Sequence, residues 1–318
     1  MGLTSSFAFI VGAHKAGTTA VAAWLDQRPG VSVALSKEPN VFSVRDVTRT
    51  GDSYWDEFEQ EPLLIDASTT YSICSVHPGT AGRIHRFDPS ARIIYLTRDP
   101  LSRLWSGWRQ HLDESGYAIA ADFRTALRTD PSLIDATRYR SQLEQYREFF
   151  PDEQILTVPL ERLTADAGER RRLLRFLDLK PVDLELERQN GGEDKGQDHP
   201  LVRAALDTTV GMAVGDRLRR SPVRRHLASV RRRFLLKPLD PAQEAARSWA
   251  SVDAAEMVRA DCRAYLDDLG LEHGLWPSLA PEVETADRGP GRPDAAALVD
   301  AMHPPDDVGG RHRPAGST

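Results

Sequence analysis

The strongest constraint on the fold lies near the start of the chain. A short apolar run, residues 7–11, leads into a glycine-bearing loop and then into a helical pattern over residues 17–27. The run predicts a buried strand, and the apolar spacing after it predicts an amphipathic helix. A loop of this kind directs backbone N–H groups and a helix N-terminus at one point, where anions bind. We therefore predict an anion site in residues 12–19.

Further strands and helices alternate along the chain. Apolar, β-rich runs predict strands at residues 31–35, 63–65, 92–97 and 154–158, and helices are predicted from Asp99 onward, at 134–150 and at 170–177. This alternation predicts an α/β, three-layer P-loop-like fold with a central, mainly parallel sheet flanked by helices. Sites in such folds lie at the carboxyl ends of the strands. That rule places the first loop, Asp66 and Arg98 at one edge.

The remaining sequence sets the domain limits. Helices are predicted at residues 200–214 and 242–269, separated by a basic segment at 217–233 that forms either a solvated face or the border of a substrate entrance. Residues 281–318 are rich in Pro, Gly and Asp and lack periodicity, which predicts a disordered tail. We expect one domain over residues 1–280.

Composition excludes several classes of protein. The net charge is −6, so no bulk attraction to nucleic acid or to an acidic membrane is expected. No run approaches the ~18 apolar residues of a membrane span, and the two cysteines have no metal-ligand spacing. We expect a cytoplasmic protein without a metal site. The excess of arginine over lysine is typical of a GC-rich bacterial coding sequence, and nothing in the sequence specifies an oligomeric state.

The first loop differs from a nucleotidase loop. Gly12 and Gly17 have the G-x-x-x-x-G spacing, but Thr18 and Thr19 follow in place of Lys-Ser/Thr, and the lysine is Lys15, inside the loop. A kinase needs its lysine on the β- and γ-phosphates and a hydroxyl on magnesium. We expect this loop to hold one 5′-phosphate, with Lys15 near the transferred group. An ordinary strand-to-helix turn is the alternative.

A second anion site is predicted after the fourth strand. Arg98 ends that strand, and Ser106 lies about two turns along the next helix. A guanidinium and a hydroxyl can bind one phosphate together. The alternative is a helix cap at Asp99 with Arg98 paired to a carboxylate. Because this site is expected beside the first loop, the two sites together favour a ligand with two separated phosphates.

These motifs resemble those of the sulfotransferases that use 3′-phosphoadenosine-5′-phosphosulfate (PAPS), nearest the heparan-sulfate-type and bacterial branch. The similar segments are residues 15–19 (KAGTT), 36–42 (SKEPNVF), 96–100 (LTRDP) with Ser106, and 195–200 (KGQDHP). Weaker matches occur at residues 138–143 and 149–151. The resemblance covers roughly residues 7–280.

The resemblance implies transfer of a sulfuryl group from PAPS to a hydroxyl of a carbohydrate or small natural product. Lys15 and the base Glu38 would be catalytic, with Asp66 as the second candidate base. The implied cofactor-binding residues are His14, Lys15, Ala16, Gly17, Thr18, Thr19, Arg98, Ser106, Lys195, Gly196 and Gln197. The implied acceptor-binding residues are Glu38, Asp66, Tyr71, His111 and Tyr139, and Tyr71 either contacts the acceptor or packs beneath it.

Three positions depart from the heparan-type pattern. Ala67 replaces a second active-site lysine, Asp66 is one methylene shorter than the usual glutamate, and Gln197 replaces an arginine. The missing lysine favours a small glycosylated or hydroxylated acceptor over a polysaccharide. Two other functions stay open at this point, a P-loop phosphotransferase and a non-catalytic nucleotide-binding protein.

Overall fold

The computed structural model describes residues 5–48, 51–113, 122–181, 197–198, 236–237 and 247–280. Five strands form a parallel sheet in the order β2-β3-β1-β4-β5. The strands are β1 (Ser6–Gly12), β2 (Val31–Val33), β3 (Leu63–Asp66), β4 (Arg92–Thr97) and β5 (Ile155–Pro159). A separate antiparallel pair joins β6 (Gln197–Asp198) to β7 (Leu236–Lys237).

The described helices connect and cover these strands. They are α1 (Thr18–Asp26), α2 (Thr80–Phe87), α3 (Pro100–Asp113), α4 (Phe123–Thr129), α5 (Pro131–Asp135), α6 (Tyr139–Arg147), α7 (Leu160–Ala165), α8 (Ala167–Phe176) and α9 (Ala255–Asp268). In β1, every residue from Phe7 to Val11 is at most 1% exposed. Consecutive strand residues point to opposite faces, so both faces of this strand are covered. The predicted α/β fold with a parallel sheet flanked by helices is confirmed.

The strand order brings distant segments to one edge of the sheet. β1 lies between β3 and β4, and all three run in the same direction. The loops that follow them therefore leave the sheet side by side, as the position of a site in a parallel sheet requires.

Aromatic side chains form much of the core. Phe7, Phe9, Phe42, Tyr54 and Phe87 pack with ring centroids 5.0 to 6.5 Å apart. Trp105 and Trp108, from α3, are also buried, with centroids 4.7 Å apart. This burial is typical of core residues and leaves neither ring free to act as a stacking platform for a base.

Several predicted elements have different limits. The strand expected at residues 31–35 ends at Val33, and Leu35 is 73% exposed. The helix expected over 134–150 is interrupted between α5 and α6, where Arg138 is non-helical. The helix expected over 242–269 begins at Ala255, because the backbone is extended at Ser248 and Val252. The predicted helix at 200–214, the basic segment at 217–233 and the predicted disordered tail at 281–318 lie outside the described residues.

The carboxyl-terminal segment is tied to the ends of β4 and β5. Trp276 Nε1 donates to Glu161 Oε2 at 3.1 Å, and Glu161 Oε1 accepts the backbone N–H of Asp99 at 2.9 Å. Asp99 Oδ2 accepts the N–H of Ser278 at 3.0 Å, while its Oδ1 caps α3 by accepting the N–H of Ser102 at 2.8 Å. This segment therefore braces the strand end that carries Arg98.

Candidate functional site

The loop between β1 and α1 is built around two glycines. A side chain at Gly12 would place a Cβ 2.0 Å from Ser72 Oγ, so only glycine fits there. Gly17 precedes α1 with φ +83°, in the left-handed region that glycine enters easily, and a Cβ there would lie 2.7 Å from Leu160 Cδ1. The first N–H groups of a helix lack intrahelical acceptors. The loop therefore delivers Thr18 and Thr19 with their N–H groups at the edge of the sheet, Thr18 buried and Thr19 exposed.

Lys15 lies in this loop beside α3. Its backbone is left-handed, with φ +71°, and its Nζ donates to Gln110 Oε1 at 2.5 Å. Its carbonyl oxygen accepts a hydrogen bond from Arg98 Nη1 at 3.2 Å. The two predicted anion sites therefore adjoin, although 83 residues separate these two residues in the sequence.

Arg98 has the geometry of a ligand-binding guanidinium. It follows β4 directly, is half-buried, and its carbonyl oxygen accepts the Tyr139 hydroxyl at 2.8 Å. Its Nε is buried, and within the described ranges it has no hydrogen-bond acceptor. A buried N–H without a partner costs free energy. An anion such as a phosphate bound at this point would satisfy it.

Helix α3 lines the other side of the loop. Ser106 is half-buried, and Gln110 lies one turn further along, so the two share a face of the helix. The Gln110 contact with Lys15 fixes that face toward the loop. Strand β6, which contains Gln197, lies next to α3.

A buried arginine holds the loop against this helix. Arg103 is 1% exposed, and its Nε donates to the His14 carbonyl oxygen at 3.0 Å. Its Nη1 donates to the Leu133 carbonyl oxygen at 2.5 Å and to Thr137 Oγ1 at 2.8 Å. Burial lowers the pKa of Arg103, but an arginine keeps its charge at neutral pH. The guanidinium thus fixes the His14 carbonyl relative to the α5–α6 turn.

Glu38 lies at the same edge of the sheet, on the loop after β2. Its carboxylate pairs with Lys37 and accepts a hydrogen bond from Thr69 Oγ1 at 3.2 Å. Thr69 begins a 3-10 turn, Thr69–Ser72, whose last residue is the one that crowds Gly12. The Glu38 side chain is 30% exposed. Glu38 is thus a carboxylate that solvent can reach. It is linked through Thr69 and this turn to Ser72, which lies against Gly12 at the start of the phosphate loop, residues 12–17.

Asp66, the second candidate base, is in a different environment. It ends β3, is 0% exposed, and accepts hydrogen bonds from Tyr54, Tyr71 and Ser68. Burial raises the pKa of Asp66 to about 6, although these hydrogen bonds act in the opposite direction. The Asp66 carboxylate has no exposed atom, so Glu38 is the more accessible of the two candidate carboxylates.

The predicted acceptor-binding residues do not all reach a surface. Tyr71 and Tyr139 are 0% exposed, and their hydroxyls bond to Asp66 and to the Arg98 carbonyl. Of the two alternatives for Tyr71, this geometry matches packing beneath the site. The Tyr139 hydroxyl is directed at the Arg98 backbone, and no part of this side chain is exposed. The side chains of His111 and Gln197, and all of Lys195 and Gly196, lie outside the described residues.

Three residues at the site were not predicted from the sequence. Arg103, Gln110 and Thr69 were not singled out, although each contacts a residue of the predicted site. The spacing of Gln110, four residues after Ser106, is a signal that could have placed it on the same helix face. Arg103 and Thr69 act through contacts that no local pattern encodes.

A family model described as "Sulfotransferase domain" matches residues 6–198. The chain belongs to the sulfotransferase family. The resemblance inferred from the motifs is thereby confirmed. The match contains the phosphate loop, Glu38, Asp66, Arg98 and Ser106.

Parts of this chain are similar in sequence to individual sulfotransferases. It is 30% identical over 232 residues to human "Heparan sulfate glucosamine 3-O-sulfotransferase 6", covering 63% of this chain and 66% of that protein. It is also 30% identical over 186 residues to human "Heparan sulfate glucosamine 3-O-sulfotransferase 3B1", covering 55% of this chain and 46% of that protein. The matched regions therefore span less than two thirds of the length of these relatives.

Parts of this chain are also similar in structure to solved sulfotransferases. One from Alicyclobacillus acidocaldarius has 24% identity and a TM-score of 0.48, covering 59% of this chain and 86% of that one. A mouse sulfotransferase complexed with PAP has 18% identity and a TM-score of 0.40, covering 56% of this chain and 60% of that one.

Within the described residues of this sulfotransferase-family chain, no helix combines the length and apolarity needed to span a bilayer. The same ranges contain no cluster of three or more His, Cys, Asp or Glu side chains suited to holding a metal ion.

Proposed function

We propose that the protein transfers a sulfuryl group from PAPS to a hydroxyl of a carbohydrate or small natural product. The observation that carries this proposal is the contact between the two anion-binding segments, in which Arg98 Nη1 lies 3.2 Å from the Lys15 carbonyl oxygen. Two adjoining cationic sites at one sheet edge suit a nucleotide with phosphates at both its 3′ and 5′ positions.

The residues around this edge fit PAPS. The 5′ side would lie against the loop formed by His14, Lys15, Ala16 and Gly17, with Thr18 and Thr19 at the helix N-terminus. Arg98 and Ser106 would hold the 3′-phosphate, with the buried Arg98 Nε as one donor. Lys195, Gly196 and Gln197 are proposed to close over the nucleotide. When bound, PAPS supplies the sulfuryl group and a leaving group that departs readily.

Lys15 and Glu38 are proposed as the catalytic pair. The Lys15 ammonium would stabilise the negative charge that develops on the departing oxygen. Glu38 would accept the proton of the acceptor hydroxyl as that oxygen attacks, because a hydroxyl is too weak an acid to ionise by itself near pH 7. Thr69 and Lys37 hold the Glu38 carboxylate in place for this role.

A carbohydrate hydroxyl is the acceptor class that the heparan sulfate relatives favour, since their names specify O-sulfation of glucosamine. Ala67, which is buried in this chain, replaces the second lysine of the heparan-type pattern. The loss of that charge favours a small glycosylated or hydroxylated metabolite over a highly anionic polysaccharide. A bacterial source and a cytoplasmic location stay predictions.

A phosphotransferase is less favoured. Thr18, directly after Gly17, occupies the position where a kinase loop has its lysine. The Lys15 side chain is instead directed at α3, where its Nζ donates a hydrogen bond to Gln110 Oε1.

The decisive experiment is a transfer assay with sulfur-labelled PAPS. The full chain would be incubated with heparan-type oligosaccharides in one arm and with hydroxylated and glycosylated metabolites in the other. We expect label on a hydroxyl in at least one arm, and none with sulfate alone. Hydrolysis or transfer of the ATP γ-phosphate without use of PAPS would overturn the proposal, as would tight PAP binding without transfer to any acceptor.

The Arg98→Ala variant tests the 3′-phosphate site. Loss of a charge-assisted hydrogen bond is expected to weaken PAP binding by about 10- to 100-fold. Affinity for 5′-AMP, which has no 3′-phosphate, should change far less, and both constants can be measured by calorimetry. Arg86→Ala, at a surface guanidinium paired with Asp46, is the matched control. An unaltered ratio of PAP to AMP affinity in the Arg98 variant would contradict the assignment.

A further inference from the structure

Asp66 is the centre of a buried hydrogen-bond network. Its Oδ2 accepts the hydroxyls of Tyr71 at 2.8 Å and Tyr54 at 3.0 Å. Its Oδ1 accepts the Ser68 hydroxyl at 2.6 Å and the Ser68 N–H at 3.0 Å. A carboxylate has about four acceptor positions, and here all four are occupied. The network therefore leaves Asp66 no capacity to bind an acceptor molecule.

Two of these donors continue the network to the loop that carries Glu38. Ser68 Oγ accepts the N–H of Asn40 at 2.9 Å, and the Tyr71 oxygen accepts the N–H of Phe42 at 3.4 Å. A hydroxyl has only one hydrogen. Because Asp66 takes that hydrogen in both residues, each oxygen is left as an acceptor facing the loop. The negative charge of Asp66 thus fixes the orientation of both hydroxyl groups, which donate to Asp66 and accept from the loop.

The loop needs such anchors. Lys37 and Asn40 have φ values of +65° and +57°, in the left-handed region that is costly for residues other than glycine. Glu38 lies between them. Such a conformation persists only where surrounding contacts determine it. The hydrogen bonds from the loop to Ser68 and Tyr71 provide such contacts.

We propose that Asp66 is a positioning residue that holds Glu38 at the site through Ser68 and Tyr71, and that it does not itself touch the acceptor. The catalytic part of this inference rests on the proposed function, in which Glu38 is the base. The structural part stands on the hydrogen bonds alone. Tyr54 donates to Asp66, and its ring packs on Phe42, but it has no described hydrogen bond to residues 38–42. Tyr54→Phe keeps the ring contact and removes only the hydroxyl, so it provides an internal control.

The test compares three variants of the full chain, Ser68→Ala, Tyr71→Phe and Tyr54→Phe. Amide hydrogen exchange at Asn40 and Phe42, resolved residue by residue, reports the loop directly. We expect Ser68→Ala to accelerate exchange at Asn40 by about tenfold. Tyr71→Phe should accelerate exchange at Phe42 by a smaller factor, because that bond is longer. Tyr54→Phe should change neither amide by more than about twofold.

Activity provides the second readout. Ser68→Ala and Tyr71→Phe should lower kcat for sulfuryl transfer while PAP affinity stays near that of the wild type, because the nucleotide loop lies on other elements. Tyr54→Phe should leave kcat nearly unchanged. Should Tyr71→Phe fail to fold, Ser68→Ala against Tyr54→Phe still decides the matter, since Ser68→Ala removes only one oxygen atom.

The outcomes separate the two proposals. Unchanged exchange at Asn40 in Ser68→Ala would overturn the positioning role, whatever Glu38 does. Equal loosening of both amides in Tyr54→Phe would also overturn it, because that pattern signals a general softening of the core. Faster exchange combined with full activity of a Glu38→Gln variant would leave the positioning role intact and reject Glu38 as the base.

Discussion

Replacement of Lys15 by alanine is expected to lower kcat for sulfuryl transfer by about 10²- to 10³-fold. This is the usual loss when one donor that stabilises developing charge is removed. The ammonium lies at the contact between the phosphate loop and α3, where it donates a hydrogen bond to Gln110. The lost interaction forms most strongly in the transition state, so kcat should fall far more than PAP affinity.

A matched variant separates this effect from a loss of folding. Lys180→Ala changes an exposed lysine that follows α8, and it should retain wild-type kinetics. Melting temperature and PAP affinity, measured for both variants, report the fold and the nucleotide site. A Lys15→Ala protein with kcat within about threefold of the wild type would show that the lysine has no catalytic part.

The Glu38→Gln variant is expected to lose transfer by about 10²- to 10⁴-fold, the range typical of a general base. The substitution conserves size, so Thr69 can still bond to the side chain, but the amide cannot take a proton from the acceptor hydroxyl. The Lys37 ion pair is also lost, although a pair this exposed contributes little to stability. PAP affinity should therefore stay near that of the wild type.

The control for Glu38 is Glu256→Gln, which alters a carboxylate that is 77% exposed and lies on α9. It should leave kcat, KM and melting temperature unchanged. If Glu38→Gln keeps its activity while Asp66→Asn loses it without faster exchange at Asn40, the base has been assigned to the wrong carboxylate.

The sequence was sufficient to predict the sheet and its functional edge. Buried strands are continuous apolar runs in a parallel sheet, and residues 7–11 and 92–97 follow that pattern closely. The phosphate loop was predictable because glycine spacing, a lysine and a helix start coincide within eight residues. The meeting of Lys15 with Arg98 then followed from one rule about strand ends.

Helix limits were harder to predict because their causes lie far along the chain. The interruption before α6 is stabilised by Asp261 of α9, which accepts the N–H groups of Arg140 and Ser141 at 2.9 and 3.1 Å. No local pattern reveals a cap supplied by a residue 121 positions away. Helix α2 was missed since it is eight residues long and starts after the left-handed Gly79, without a side-chain cap.

The role of Asp66 was ambiguous for a similar reason. A carboxylate at a strand end can serve chemistry or structure, and the choice depends on its partners. Tyr54 lies 12 residues earlier and Tyr71 five residues later, and neither is recognisable as a donor before the chain folds. Glu38 differs because its loop leaves the carboxylate partly in solvent.

The attachment of Trp276 and Ser278 to Glu161 and Asp99 has a consequence for where this domain can be cut. The family match stops at residue 198, yet the bonds that secure the start of α3 come from residues 276–278. A fragment trimmed to the recognised family region would lack Trp276, so it would leave the Glu161 carboxylate without its indole donor and would uncover Tyr139, which packs on that indole. The contacts that hold the start of α3 in place therefore reach at least to Ser278, and a cut that preserves them must lie beyond that residue.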